Sequence, residues 1–274
     1  MSTSSRVRRI VITPIYNELG AIESVLPRIA READLVIAVD DGSTDGTSEY
    51  LEAWARANAH AVLVRSRRNG GASVALRKGY ALVAHLLERQ CIGPDDCVVE
   101  IDSDGQHDPK YIGELCDRFL GFNGTIDVVL ARRDFRLYPR YKVAGNWALT
   151  RMASLLGGFR YKDVESNFRV LPAARFAELL RWFGGYRYSG AFEVGIILGD
   201  LGYRIDNDYV VQVPLYRHGA GAVDGLSVLI MGVRAWARRR FDRTRTDVAS
   251  FSSHTIEETT FPAWYPDTPA PFRR

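Results

Sequence analysis

Two aspartates and a glutamine at alternate positions form the segment of this 274-residue chain with the clearest chemical signature. Asp102 and Asp104 follow an apolar run typical of a buried strand, and in extended chain residues i and i+2 point to the same side. Gln106 lies two residues further and adds an amide oxygen. Mg²⁺ and Mn²⁺ prefer oxygen ligands and take those that a protein does not supply from phosphates and water. The spacing therefore predicts a metal site at these three residues, with a solvated acidic turn as the alternative.

A second acidic segment, residues 40–47 with the sequence DDGSTDGT, follows another apolar run. Its glycines favour a tight turn and its threonines can cap a helix, but capping does not explain the adjacent pair Asp40 and Asp41. Neighbouring like charges need hydrogen-bond donors, such as ribose hydroxyls or a base N–H. The phosphate loop of ATPases and the glycine motif of dinucleotide-binding dehydrogenases are both absent from the chain, so those two enzyme classes are disfavoured.

The elements that must position these residues alternate along the first half of the chain. Apolar, β-branched runs at residues 9–13, 35–39, 61–64, 97–101 and 127–130 predict strands, and residues 19–33, 44–57, 71–89 and 109–119 have helical periodicity. This order predicts an α/β fold with a Rossmann-like, mostly parallel sheet flanked by helices. Polar segments follow all five strands, so we expect a site built from five loops at the carboxyl edge of the sheet.

The second half is less regular. Residues 143–157, 173–183 and 191–201 predict helices and residues 203–214 a strand. We expect a flexible segment at 1–7, one catalytic domain at 8–220, a basic amphipathic helix at 221–246 and a proline-rich, disordered tail at 247–274. The apolar positions of the basic helix recur at helical spacing within residues 226–237, and its arginines extend to Arg245. Such a helix either packs on the domain, the role we favour, or lies peripherally on a membrane through residues 226–245.

Composition excludes several classes of protein. With 46% hydrophobic residues and 36 basic against 33 acidic side chains, the chain is typical of a folded domain and too balanced in charge to indicate a nucleic-acid partner. The amino terminus lacks the apolar stretch of a signal peptide, and the three cysteines lack a Cys-x-x-Cys spacing. The longest late apolar run is too short to span a bilayer. We therefore expect a cytoplasmic protein, with peripheral contact to the inner face of the membrane as an option.

Taken together, the motifs resemble those of family-2 glycosyltransferases of GT-A fold. They are PIYNE at 14–18, DDGSTDGT at 40–47, NGG at 69–71 with ALRKG at 75–79, and IDSDGQHDP at 101–109. The segment DVESNFR at 163–169 resembles the D-x-x-S-G-F-R run of the dolichol-phosphate and polyprenyl-phosphate mannosyltransferase branch. The resemblance covers roughly residues 8–220, with Asn167 standing where that branch has glycine.

The resemblance implies an inverting transfer of a sugar from a nucleoside diphosphate sugar, such as GDP-mannose or a UDP-sugar, to an acceptor that we expect to be polyprenyl phosphate. Carried over by position, the nucleotide sugar would be bound by Pro14, Tyr16, Glu18, Asp41, Lys78, Asp102 and Ser166. The Mg²⁺ or Mn²⁺ ion would be bound by Asp102, Asp104 and Gln106. Catalysis would depend on Asp104, Arg133, Arg169 and Glu193.

The type of acceptor decides whether a general base is needed, because a hydroxyl must lose its proton during attack whereas a phosphate is already ionised. Glu193 is the candidate base, and its alternative role is that of a glutamate favoured at the start of a helix. Arg133, Arg140 and Arg169 fit a phosphate acceptor, since guanidinium groups bind phosphate bidentately. Two alternatives stay open: transfer to a soluble hydroxyl acceptor, and a non-catalytic module that binds nucleotide sugars.

Overall fold

The structure, a computed structural model, describes residues 6–136, 138–214, 222–242 and 248–265, without the side chains of residues 222–226 and 242. Its strands are β1 (Arg9–Ile15), β2 (Leu35–Asp40), β3 (Ala61–Arg65), β4 (Cys97–Glu100), β5 (Val128–Leu130), β6 (Arg132–Arg133), β7 (Arg169–Pro172), β8 (Ile205–Asp206), β9 (Val210–Val211) and β10 (Thr259–Thr260). Its α-helices are α1 (Leu19–Glu32), α2 (Thr47–Ala57), α3 (Ala72–Glu88), α4 (Tyr111–Gly121), α5 (Arg140–Gly157), α6 (Phe176–Trp182), α7 (Gly190–Asp200), α8 (Ala222–Ala237) and α9 (Val248–Glu257).

Eight strands form one sheet in the order β10-β3-β2-β1-β4-β7-β5-β8. Strands β1 to β4 are mutually parallel and β8 is parallel to β5, whereas β7 and β10 are antiparallel to their neighbours. The prediction of a mostly parallel α/β sheet is confirmed. The central strands are buried on both faces, which explains their continuous apolar sequences.

Two apolar layers cover the sheet. Side chains from α3, α6 and α7 pack on one face, and those from α1, α2 and α4 on the other. Strands β1 and β4 lie side by side at the centre, so the loops that follow them meet at the carboxyl edge. The Ser103 hydroxyl donates a hydrogen bond of 2.8 Å to the Pro14 carbonyl and ties these two loops together.

The carboxyl-terminal region departs from the sequence prediction. The prediction of disorder over 247–274 is wrong for residues 248–265, which include α9 and β10. Residues 266–274 of that segment lie outside the described residues. Phe251, Ile256, Phe261 and Tyr265 pack against the apolar layer that contains α3, and β10 pairs with β3. The four prolines suggested disorder, but all lie after α9, and burial of these apolar side chains stabilises the segment.

The predicted basic helix is shorter than expected: α8 ends at Ala237 and continues as a π-helical turn through residues 238–242. Within its expected apolar stripe, Leu229 and Trp236 pack on the domain while Ile230 and Val233 are exposed. The strand expected over 203–214 is reduced to β8 and β9, and residues 1–5 of the predicted flexible segment lie outside the described residues. Among the described residues, no helix has the length and apolarity that crossing a bilayer requires.

Candidate functional site

The loop after β4 brings the three predicted metal ligands together. The Asp104 carboxylate accepts hydrogen bonds from the Gln106 backbone N–H at 2.9 Å and from its side-chain amide at 2.7 Å. Asp102 accepts a hydrogen bond of 3.3 Å from the side-chain amide of Asn167. His107 Nδ1 lies 3.5 Å from Asp102, and both ring nitrogens of this buried histidine lack a hydrogen-bond partner among the described residues. The loop therefore presents two carboxylates and an amide in one tight turn.

The electrostatics of this turn favour a bound cation. Burial raises the pKa of Asp104, and the negative charge of Asp102 raises it further. Burial also raises the pKa of Asp102 and, with a contribution from Asp104, that of Glu18. A divalent ion would stabilise these carboxylates in their charged form. No described group of three His, Cys, Asp or Glu side chains could hold an ion by itself. The donor set fits Mg²⁺ or Mn²⁺ that completes its coordination with phosphate oxygens and water.

The loop after β1 supplies the next predicted residues. Pro14 is buried, Tyr16 is exposed at the edge of the sheet, and Glu18 lies close enough to Asp102 and Asp104 for their charges to raise its pKa. The structure therefore gathers the PIYNE segment and the metal-site turn at one edge, as predicted. An exposed aromatic ring there can stack on a nucleobase, which is compatible with the expected role of Tyr16.

The side chains of Asp41 and Lys78 both form hydrogen bonds with other residues of the protein. The buried Asp41 carboxylate accepts hydrogen bonds from the backbone N–H groups of Gly70 and Gly71, at 3.0 and 2.6 Å. Gly71 has φ +93°, and a Cβ there would lie 2.6 Å from the backbone of Arg187, so only glycine fits. Asp41 thus shapes the loop before α3, a structural role that sequence reasoning did not assign.

The predicted contact between Lys78 and the nucleotide sugar does not agree with the environment of this side chain. Lys78 is buried, and its ammonium donates hydrogen bonds to the Ser66 hydroxyl, at 2.9 Å, and to the carboxylate of Glu258. Glu258 follows α9 in the segment for which disorder was expected. The partner of Lys78 is therefore far away in sequence, and local patterns carry no signal for it.

Arg133 lies at the end of β6, as expected for a phosphate-binding residue at the carboxyl edge. Its Nε and Nη2 donate a bidentate pair of hydrogen bonds, each of 2.9 Å, to the buried carboxylate of Asp163. Nη2 also donates to the Asn146 side chain at 2.7 Å. Asp163 begins the DVESNFR segment, so the family-like motif pointed to this partner of Arg133. No sequence motif pointed to Asn146. The two acceptors hold the guanidinium in one orientation.

Arg169 and Ser166 occupy positions that differ from the prediction of direct contact with phosphate. The Arg169 side chain is fully buried, and its Nε lies 3.0 Å from the buried carboxylate of Glu100, which accepts a 2.6 Å hydrogen bond from Tyr80. A side chain enclosed in this way cannot reach a substrate, so direct contact is wrong for Arg169 in this conformation. Ser166 is also buried, and its hydroxyl lacks a hydrogen-bond partner among the described residues.

Glu193 lies in the first turn of α7, the position that the alternative role required. Its carboxylate accepts hydrogen bonds from the backbone N–H groups of Gly184, at 2.7 Å, and Gly185, at 3.2 Å, and the Arg238 guanidinium lies 3.5 Å away. The side chain is buried, and burial raises its pKa. Glu193 therefore holds the loop before α7 in place, which accounts for the residue without a role as general base.

Residues 10–162 match the family model described as glycosyl transferase family 2. A polyprenol monophosphomannose synthase of Mycolicibacterium smegmatis is 30% identical over 270 residues, which cover 87% of this chain and 90% of the relative. A UDP-N-acetylglucosamine–dolichyl-phosphate N-acetylglucosaminyltransferase of Methanococcus voltae is 28% identical over 209 residues, covering 68% and 78%.

Among solved structures, glucosyl-3-phosphoglycerate synthase of Mycobacterium tuberculosis in complex with Mn²⁺, UDP and phosphoglyceric acid superposes with a TM-score of 0.60 at 22% identity. The match covers 85% of this chain and 78% of that chain. This likeness concerns the fold alone, and it confirms the prediction of a GT-A type α/β architecture.

Proposed function

Because the chain belongs to glycosyl transferase family 2, we propose that it transfers a sugar from a nucleoside diphosphate sugar to polyprenyl phosphate in a reaction that depends on Mg²⁺ or Mn²⁺. The observation that supports this proposal is the turn in which Asp104 is hydrogen-bonded to Gln106, with Arg133 near enough to Asp102 for its charge to lower the pKa of that carboxyl. Two carboxylates suit the metal-bound diphosphate of a donor, and a fixed guanidinium suits the phosphate of an acceptor.

On the donor side, a bound divalent ion supplies Lewis-acid stabilisation of the charge that develops on the departing diphosphate. Asp102, Asp104 and Gln106 would hold that ion, and Pro14, Tyr16 and Glu18 would bind the nucleoside. Asp41 is buried and accepts hydrogen bonds from the Gly70 and Gly71 amides, so it would act by holding this loop in place. The relatives include a UDP-N-acetylglucosamine transferase and a phosphomannose synthase, so the test varies both the base and the sugar of the donor.

On the acceptor side, a phosphate monoester is ionised near pH 7, so its oxygen can attack the anomeric carbon without a general base. The new C–O bond forms as the bond to the diphosphate breaks on the opposite side, which inverts the anomeric centre and releases the nucleoside diphosphate. Asp163 and Asn146 orient Arg133, which would hold the acceptor phosphate. The engagement of Glu193 by two backbone amides agrees with chemistry that needs no base at that position.

A lipid-linked acceptor requires the enzyme to work at a bilayer surface. We infer peripheral contact, to which the basic segment 226–245 contributes through the exposed Arg234 and Arg240. Residues 243–245 of that segment lie outside the described residues.

The direct test is a transfer assay that pairs GDP-mannose, UDP-N-acetylglucosamine and UDP-glucose with undecaprenyl phosphate in detergent, with Mn²⁺ or with EDTA. We expect a sugar-1-phosphate lipid, detected by mass spectrometry, from at least one donor and only with the metal. A thermal-shift panel of GDP, UDP and dTDP with and without Mn²⁺ identifies the base, because ligand binding raises stability by mass action. Full activity in EDTA, or transfer to soluble hydroxyl acceptors alone, would contradict the proposal.

A further inference from the structure

The outer face of helix α5 combines exposed apolar side chains with arginines. Tyr141, Trp147 and Leu155 are exposed to 73%, 64% and 77%, and Ala144 and Ala148 between them are also exposed. At about 100° per residue these positions fall within an arc of about 120° on one side of the helix, and Arg140 and Arg151 fall within the same arc. The opposite side, with Thr150 and Ala153, is buried against the domain. Exposed aromatic and aliphatic side chains gathered on one face mark an interaction surface.

All ionisable side chains of α5 are basic or phenolic. The helix has the sequence RYKVAGNWALTRMASLLG, with Arg140, Lys142 and Arg151 and without an aspartate or glutamate. The Arg151 guanidinium lies 6.0 Å from the centroid of the Trp147 ring. Within the described residues, none of the three cations is in an ion pair. Arg140 and Arg151 therefore place uncompensated positive charge among the apolar side chains of this face, which complements a negatively charged partner.

Helix α8, a neighbour of α5, exposes further apolar and basic side chains. It packs against both α5 and the buried helix α7. Arg238 and Arg239, which follow α8, pair with Glu193 and Asp200 of α7. Ile230, Val233, Arg234, Phe241 and Arg240 are exposed. We call the outer face of α5 together with these exposed side chains the α5–α8 face.

The α5–α8 face adjoins the catalytic edge. Asn146 of α5 accepts the hydrogen bond from Arg133, and the next residue, Trp147, is exposed. Between α5 and residues 160–162 lies a cavity of about 460 Å³ with Asn146, Trp147, Arg151, Arg160 and Lys162 in its wall. Because Trp147 and Arg151 belong both to the outer face and to the cavity wall, a partner seated on α5 would reach the rim of this cavity.

We propose that the α5–α8 face docks on the surface of an anionic lipid bilayer, and this inference rests on the proposed lipid-phosphate acceptor. Aromatic and aliphatic side chains bury their apolar area at the boundary between headgroups and acyl chains, and the arginines of this face bind anionic headgroups. The arrangement places the rim of the cavity beside α5 at the membrane surface, where the phosphate of a lipid acceptor lies. The larger apolar contribution comes from α5, outside the segment 226–245.

The test compares sedimentation of the full chain with vesicles of phosphatidylcholine alone and of phosphatidylcholine mixed with phosphatidylglycerol. The variant Tyr141→Glu/Leu155→Glu places two charges about 21 Å apart along the same face of α5. The matched control, Leu120→Glu, replaces a leucine of α4 on the other side of the sheet that is 41% exposed. Circular dichroism melting establishes that both variants fold.

We expect the native chain and the control to bind the anionic vesicles, less tightly at high salt, and the double variant to bind about ten-fold more weakly or worse. Equal binding of the double variant, or no binding of the native chain at any ionic strength, would overturn the docking surface. So would a stable dimer in sedimentation velocity that the double variant abolishes, because the face would then join two copies of the chain.

Transfer to a water-soluble, short-chain polyprenyl phosphate without vesicles separates this inference from the proposed function. The double variant should retain that activity, since Tyr141 and Leu155 contact neither the metal-site turn nor Arg133. If the native chain binds vesicles but does not transfer sugar to this acceptor, the proposed acceptor is wrong and the docking surface is unaffected. If the native chain transfers sugar to this acceptor but does not bind anionic vesicles selectively, the docking surface is wrong and the proposed acceptor is unaffected.

Discussion

The side-chain amide of Asn167 donates a hydrogen bond of 3.3 Å to the carboxylate of Asp102, and its oxygen lies 3.4 Å from Nη2 of the buried Arg169. Arg169 is paired with Glu100, so Asn167 links the metal-site turn to a polar cluster in the interior of the sheet. The resembled family motif has glycine at this position. In this chain a side chain where that motif has none therefore contacts one of the two candidate metal ligands.

Asn167→Gly should weaken the binding of Mn²⁺ in the presence of UDP by about ten-fold, because Asp102 loses the group that orients it. Electron paramagnetic resonance of free Mn²⁺ measures this affinity directly. The control, Asn123→Gly, changes a surface residue with φ 48°, a conformation that glycine adopts readily. Unchanged affinity in Asn167→Gly would show that the hydrogen bond does not position the ligand.

Asp104→Asn should lower turnover by roughly 10² or more, because it keeps the size of the side chain and removes a metal-binding charge. The melting temperature should stay close to that of the native chain. Asp117→Asn serves as control, since Asp117 lies on the outside of α4, where it pairs with Arg9. A fully active Asp104→Asn protein would remove this residue from the metal site.

Glu258→Gln should destabilise the folded state by about 1–3 kcal/mol, because it leaves the buried ammonium of Lys78 with a neutral partner. Chemical denaturation measures the free energy of unfolding. The neighbouring Glu257 is exposed, so Glu257→Gln should change stability by less than about 0.5 kcal/mol. Equal effects of the two substitutions would mean that the pair with Lys78 contributes nothing to folding.

Burial raises the pKa of Glu165 to about 7. The positive charge of Arg133 lowers this pKa in part, the negative charge of Asp163 raises it, and Arg169 lowers it. The folded state therefore keeps a proton that the unfolded state releases near its ordinary pKa of about 4.3. Stability should fall as the pH rises from about 4.5 to 7, by up to about 3 kcal/mol, and should level off above that range.

Glu165→Gln should flatten this pH dependence, because the amide does not titrate. Glu23→Gln, which changes an exposed residue of α1, should leave it intact. The measurement is the free energy of unfolding in urea at a series of pH values. A slope that persists in Glu165→Gln would assign the titration to another group.

Glu193→Gln should reduce turnover on polyprenyl phosphate only slightly, whereas removal of a general base costs about 10²–10⁴-fold. Its main effect should be a lower melting temperature, since an amide cannot accept both backbone hydrogen bonds of the loop before α7. Turnover and melting curves on the same preparation separate the two effects. A large loss of turnover with a lipid-phosphate acceptor would contradict the assignment of acceptor.

Sequence patterns alone were sufficient to predict the strands and helices of the first half of the chain and the edge of the sheet at which the parallel strands end. The apolar runs that became β1 to β4 and the helices between them have the periodicity of a parallel α/β sheet, and parallel strands must end at the same edge. That Asp102, Asp104 and Gln106 share one turn was equally predictable, because they are close in sequence and follow the same strand, whereas their role as metal ligands stays a prediction. Local spacing and chain direction determine features of this kind.

Tertiary structure decided which polar side chains are enclosed by the protein. Arg169 was expected at a phosphate and Lys78 at the nucleotide sugar, but each is buried beside a carboxylate. These are Glu100 for Arg169 and Glu258 for Lys78, and Glu258 lies 180 residues from Lys78. It also decided that the segment after residue 247 folds onto α3 and β3, and that α5 exposes apolar side chains. Burial and charge pairing depend on contacts between distant segments, so no local pattern specifies them.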